Sequence, residues 1–79
     1  MHWLFVLYSR KLKTYHLDSA QDMDTRIEEH NLGKLAPTAH GTPWEVVHKE
    51  FFPSWTEAAV KEQQIKSIGL QRYLRSIGK

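Results

Sequence analysis

The segment His2–Ser9, HWLFVLYS, is apolar at nearly every position and rich in residues that favour extended chain. A strand with one wet face alternates, whereas an unbroken apolar run is expected of a strand covered on both faces and therefore central in its sheet. In a chain of 79 residues, that requirement calls for layers above and below one small sheet. A domain of this size buries only about 60–65% of the surface its unfolded chain exposes. There is room for one core and one site, and residues 1–79 read as a single domain. With no cysteine, neither a disulfide framework nor a thiolate zinc site can add stability, so the fold rests on packing.

The rest of the chain supplies the layers. Arg10 to Lys13 form a basic turn, and TYHLDS (Thr14–Ser19) returns as an alternating strand, most simply the antiparallel partner in a hairpin. Its period of two puts Thr14, His16 and Asp18 on one face and Tyr15 and Leu17 on the other. Ser19 or Asp22 can cap a helix in which Met23, Arg26, Ile27 and His30 recur at three- and four-residue steps until Gly33 stops it. Lys34 to Pro43 has no periodicity and reads as a loop. Trp44 to Phe52 is the third strand, ended by Pro53. Ser54 and Glu57 have the spacing of a capping box for a second helix running to about Ile68. Gly69 breaks it, and Leu70 to Ile77 form a short last helix. The expected class is α+β, with a three-stranded, mostly antiparallel sheet flanked by helices in the order ββαβαα.

The formal charge of +2 is unevenly laid out: residues 1–14 carry +3, residues 15–60 carry −5 and residues 61–79 carry +4. Both ends can meet a polyanion and the middle repels one. The apolar run at Trp3–Tyr8 is too short to cross a bilayer and lacks the flanks of a signal peptide, so a cytoplasmic protein without membrane contact is the expectation. His2, His30, His40 and His48 show no tight ligand spacing and read as surface or packing residues. Trp3, Trp44 and Trp55 read as core and rim residues, and Lys61, Lys66, Arg72, Arg75 and Lys79 as a solvated basic face.

Two helical positions break the amphipathic pattern. Glu62 shares a stripe with Ala58 and Ile65, where a sheet-facing side chain is normally apolar, and Arg26 stands beside Met23 and Ile27 with His30 one turn on. The plain account is that Arg26 and Glu62 pair as a structural salt bridge. The sharper one is a phosphate-binding arginine opposite a metal-binding carboxylate. Both place the two residues on facing helix surfaces within ~8 Å, flanking the polar face of the second strand.

Over nearly its whole length the chain resembles the GIY-YIG nuclease superfamily, particularly its small single-domain bacterial members. The similar segments are FVLYS, TYHLDS, DTRIEEHN, LGK, TPWEVV and KEQQIK, each weak alone but specific in this order. The resemblance implies metal-dependent cleavage of DNA. It makes Arg26 the residue that steadies the scissile phosphate and Glu62 the one that holds a Mg²⁺ or Mn²⁺ ion, with His30 and Lys34 facing the nucleic acid beside Arg26. No small-molecule cofactor is implied.

The signature motifs themselves are altered at three of five positions. Phe5 stands where the first tyrosine is expected, and His16-Leu17-Asp18 where Tyr-Ile-Gly is expected. Phe5 has no hydroxyl with which to activate water or hold a phosphate oxygen. The imidazole of His16, with a reference pKa of about 6.5, can in principle take a proton from water. Asp18 adds a negative charge that opposes phosphate by about 1–4 kcal/mol at ~4 Å for dielectrics of 80 to 20, an effect reversed if Asp18 and Glu62 share a metal ion. Three functions follow: an endonuclease with an altered base, using Arg26, His16 and Glu62; a DNA-binding relative that does not cut; and a structural or protein-interaction domain.

Overall fold

In the computed structural model, which describes residues 1–79, the apolar strand β1 (His2–Ser9) is the middle of a three-stranded sheet. It pairs antiparallel with β2 (Thr14–Ala20) on one side and β3 (Trp44–Phe52) on the other. Leu4, Phe5, Val6 and Leu7 are completely buried, as a strand covered on both faces requires. The order of the regular elements is ββαβαα, with helices α1 (Met23–Asn31), α2 (Trp55–Ile68) and α3 (Leu70–Ser76).

The alternation of β1 assigns one helical layer to each face. Phe5 and Leu7 pack with Trp44 and, from β2 and α1, with Ala20, Met23 and Ile27. On the other face Leu4 packs with Ile65 of α2 and Tyr73 of α3, joined by Leu17, Phe52 and Leu70. Only 13 of 79 residues are buried, so neither cluster can be lost without unfolding the domain. The register sets Phe5 opposite Asp18 and Leu7 opposite His16 on the α1 face, and Leu4 opposite Ser19 on the α2 face.

Local chemistry sets the element ends. Asp22 caps α1, its carboxylate accepting from the Thr25 backbone N–H at 3.1 Å and from the Thr25 hydroxyl at 2.8 Å. Ser54 caps α2 by accepting from the Glu57 N–H at 3.3 Å. Gly69, at φ 104°, turns the chain from α2 into α3 in a conformation that disfavours other residues. Ser19, the other candidate cap, instead lies inside β2.

The segment between α1 and β3 is more ordered than its composition suggests. Ala36–Gly41 form a 3₁₀ turn in place of the expected irregular loop. Its order comes from side chains. Asn31 accepts from the Trp44 N–H at 2.6 Å and donates to the Trp44 carbonyl at 3.2 Å, and the Trp44 indole donates to the Thr38 carbonyl at 2.8 Å. The Trp44 ring approaches Gly41 so closely that a Cβ there would lie 2.5 Å from it. Trp55, by contrast, is 66% exposed on the outer side of α2. No helix is long and apolar enough to cross a membrane.

Candidate active site

The site grows from β2 being an edge strand with one face under α1. Met23 and Ile27 fasten α1 over the apolar half of that face, and the same helical stripe carries Arg26 and His30 over the polar half. The Arg26 Nε donates to Asp18 Oδ2 at 2.7 Å, and His30 Nε2 lies 2.8 Å from the same oxygen. The other Asp18 oxygen accepts from the Ser19 N–H at 2.8 Å. Asp18, the residue expected to repel a phosphate, is therefore an anchor for two neighbouring side chains.

His30 is 1% exposed and held from both ends. Its Nδ1 lies 2.7 Å from Thr38 Oγ1, and the equally buried Thr38 hydroxyl is placed to donate to the Leu35 carbonyl at 3.2 Å. Thr38 comes from a stretch without periodic signal; its small polar side chain gave no indication of a buried role.

Charge follows the contacts. Burial works against the Asp18 carboxylate, but the hydrogen bonds from Arg26, His30 and the Ser19 backbone outweigh it and hold the group below its ordinary range. The Arg26 guanidinium is raised by the same bond in spite of partial burial. His16 is half-buried, and burial holds its pKa below the ordinary value; Asp18 opposes that shift, His30 and Arg26 reinforce it, and Glu62 opposes it last and least. The His16 ring packs at 5.3 Å from that of His30 and 6.0 Å from that of Trp44. None of the site's hydrogen bonds uses its nitrogens, which leaves a neutral imidazole open to the pocket at neutral pH. The cavity beside it, about 350 Å³, is lined by His16, Asp18, Arg26, His30, Lys34 and Thr38 among others.

Glu62 makes no hydrogen bond to this cluster, although its charge reaches His16. It accepts from the Ser19 hydroxyl at 3.1 Å and pairs with Lys66 at 3.1 Å, on the α2 face of the sheet. The expected pairing or facing of Arg26 and Glu62 is thus replaced by two separate contacts, Arg26 with Asp18 and Glu62 with Ser19 and Lys66. A helical stripe reports which side of a helix meets the sheet; it does not report which face of the sheet the helix takes. Asp18 lies on the α1 face of β2, and Ser19, which holds Glu62, is the next residue and lies on the α2 face. Glu62 offers a hard cation one carboxylate, engaged here by Ser19 and Lys66, and a Mg²⁺-class ion is characteristically held by one or two carboxylates together with waters and substrate phosphate. The mixed cluster capable of holding a metal is His16, Asp18 and His30, whose ligand atoms lie within 4.8 Å of one another.

The charge pattern has a consequence for stability. A carboxyl depressed below 3.8 stabilises the fold fully above that value and loses the contribution as pH falls through the lowered one; a histidine depressed below 6.5 adds a loss that begins as pH falls below 6.5. Urea unfolding midpoints are expected to be flat between 6.5 and about 10, to fall in two stages on acidification, and to fall again in alkali, where Tyr73, pushed up to about 12, ionises later in the fold than in the unfolded chain. Asp18→Asn is expected to shrink the lower stage, part of which Glu50 and Asp22, also depressed, retain. A lower stage unchanged by that substitution would contradict the role given to Asp18.

Comparison with known proteins bears on this geometry directly. The family model described as the GIY-YIG catalytic domain matches residues 1–73. A UPF0213 protein of Natronomonas pharaonis is 35% identical over 68 residues, covering 85% of this chain and 79% of its own. A UPF0213 protein of Halobacterium salinarum is 35% identical over 69 residues, covering 86% of this chain and 88% of its own. No solved structure is a significant match. A family match that runs from the first strand into the last helix takes in every element that builds the pocket, and on that ground the chain belongs to the GIY-YIG nuclease superfamily.

Proposed function

We propose that the chain is a DNA-directed phosphodiesterase of this superfamily, a metal-dependent endonuclease in which His16 serves as the base in place of a tyrosine. The observation that carries the reading is the open imidazole of His16 in one pocket with the cations Arg26 and Lys34. An imidazole kept neutral at working pH can accept the proton of an attacking water. Arg26, whose side chain is 38% exposed, can exchange Asp18 for a phosphate oxygen and stabilise the charge that develops there. Lys34 adds a second positive charge at the pocket's edge, and a divalent ion held by the carboxylate of Glu62 or of Asp18 would supply Lewis acidity toward the phosphate.

A second reading, DNA binding without cleavage, is favoured by a specific pair of facts: Phe5 is fully buried and lacks a hydroxyl, and Asp18 occupies Arg26. Cleavage of a nicked and branched DNA panel in Mg²⁺ and in Mn²⁺ separates the two. Under the first reading His16→Ala is expected to lower the rate by ~10²- to 10⁴-fold, the usual worth of a general base. Glu62→Ala, run in parallel, tests whether an ion held on the α2 face is needed. In either case DNA is expected to bind in the non-specific range of ~10⁻⁴–10⁻⁶ M with affinity falling steeply as salt rises. Binding indifferent to salt would remove DNA as the partner.

A further inference from the structure

His30 is held at both ring nitrogens, Nδ1 at 2.7 Å from Thr38 Oγ1 and Nε2 at 2.8 Å from Asp18 Oδ2. The Nε2–Oδ2 contact pairs an imidazole nitrogen with a carboxylate oxygen, two ordinary metal-ligand atoms between which an ion can replace a proton. His16 stands on the same strand face two residues from Asp18, with its ring nitrogens free of protein hydrogen bonds.

We propose that His16, Asp18 and His30 form a binding site for a Zn²⁺-class divalent ion, with the fourth position open to the pocket. The set is two imidazoles and one carboxylate, which favours a borderline transition metal over Mg²⁺ or Ca²⁺. Metal–nitrogen bonds of about 2.0–2.1 Å place tetrahedral ligand atoms about 3.4 Å apart. The 2.8 Å contact and the 4.8 Å limit on the cluster bracket that spacing, so small side-chain rotations close the site. The orienting contacts already exist: Thr38 holds the far nitrogen of His30, and the Ser19 backbone holds the second oxygen of Asp18. An ion on Oδ2 also takes the acceptor that now holds Arg26, freeing the guanidinium for a phosphate. The inference deepens the phosphodiesterase reading and rests on it for the use of the ion, but with the ion bound His16 is a ligand and no longer the base, the activation of water passing to the ion; binding of the ion is measured without DNA.

The test is titration of the tag-free chain with Co²⁺ alone, followed by visible ligand-field absorption, then displacement by Zn²⁺. One ion per chain with an intense tetrahedral-type spectrum is expected. His16→Ala, which removes a half-buried ring and spares the fold, is expected to weaken binding by more than ~100-fold, and Thr38→Val by ~10- to 100-fold, the usual effect of losing a partner behind a ligand. Circular dichroism checks that each variant is folded. Glu62→Ala and His48→Ala are expected to bind as the parent does. Parent-like affinity in His16→Ala, or binding abolished by His48→Ala or by Glu62→Ala, overturns the assignment, as does the absence of a Co²⁺ spectrum. A chain that binds the ion and cuts no DNA refutes the nuclease reading and leaves this site standing; cutting in Mg²⁺ with no Co²⁺ site does the reverse.

Discussion

Returning the altered motif positions to their family residues, in the triple variant Phe5→Tyr, His16→Tyr, Asp18→Gly, is expected to raise the rate of DNA cleavage in Mg²⁺ by about 10²- to 10⁴-fold, the range for one general acid–base group. The three changes are coupled through the sheet. Phe5 is fully buried and sits directly opposite Asp18 on the same face, where side chains are about 4.5–5.5 Å apart at Cβ. A lone Phe5→Tyr therefore buries a hydroxyl among Leu7, Trp44 and Met23 and is expected to cost about 1–3 kcal/mol. Asp18→Gly vacates space beside that ring and releases Arg26, but it leaves His30 without its partner at Nε2. Thermal unfolding of the single, double and triple variants measures the coupling, and cleavage of the nicked DNA measures the gain. If the triple variant folds and cuts no faster than the parent, the altered positions do not account for the parent's rate.

The largest expected loss of stability lies on the other face. Ile65→Ala removes a fully buried side chain from the small cluster it shares with Leu4 and Tyr73, a change that typically costs about 2–5 kcal/mol. A domain of this length holds about 4–12 kcal/mol in all. Chemical denaturation is expected to show a substantial unfolded fraction at physiological temperature. Val60→Ala, on the same helix but 54% exposed, is expected to change stability by less than about 0.5 kcal/mol. Equal effects at the two positions would contradict the packing described for α2.

What the chain disclosed in its sequence was local. The unbroken apolar run placed β1 in the centre, Asp22 and Ser54 marked helix starts, and Gly69 marked a break, because each acts within a few residues of itself. The grouping around Asp18 was hidden for the opposite reason. Arg26 and His30 reach it only because α1 folds back over β2, and that choice of face depends on how Met23 and Ile27 bury against Phe5. The histidine spacing was uninformative on the same account: His16 and His30 meet through tertiary packing, with no short sequence interval between them. Glu62 broke its stripe as a real anomaly, but its partner is Ser19 of the adjacent strand together with Lys66 on its own helix.

Asn31 joins the end of α1 to the start of β3 through both atoms of its amide, in the manner of a neighbouring strand. The segment Leu32–Pro43 is thereby tied off at its base, and within it Thr38 is fixed again by His30 and the Trp44 indole, which leaves the stretch beside Lys34 as the part free to change length. Doubling such a loop adds only about 0.6 kcal/mol of closure entropy. Residues inserted beside Lys34, on the pocket side of the tie, would lengthen the rim without moving a single strand partner. The domain thus carries, next to its most chemically loaded cavity, a place where its reach along a long polymer can be altered while the frame that holds His16, Asp18 and Arg26 stays as it is.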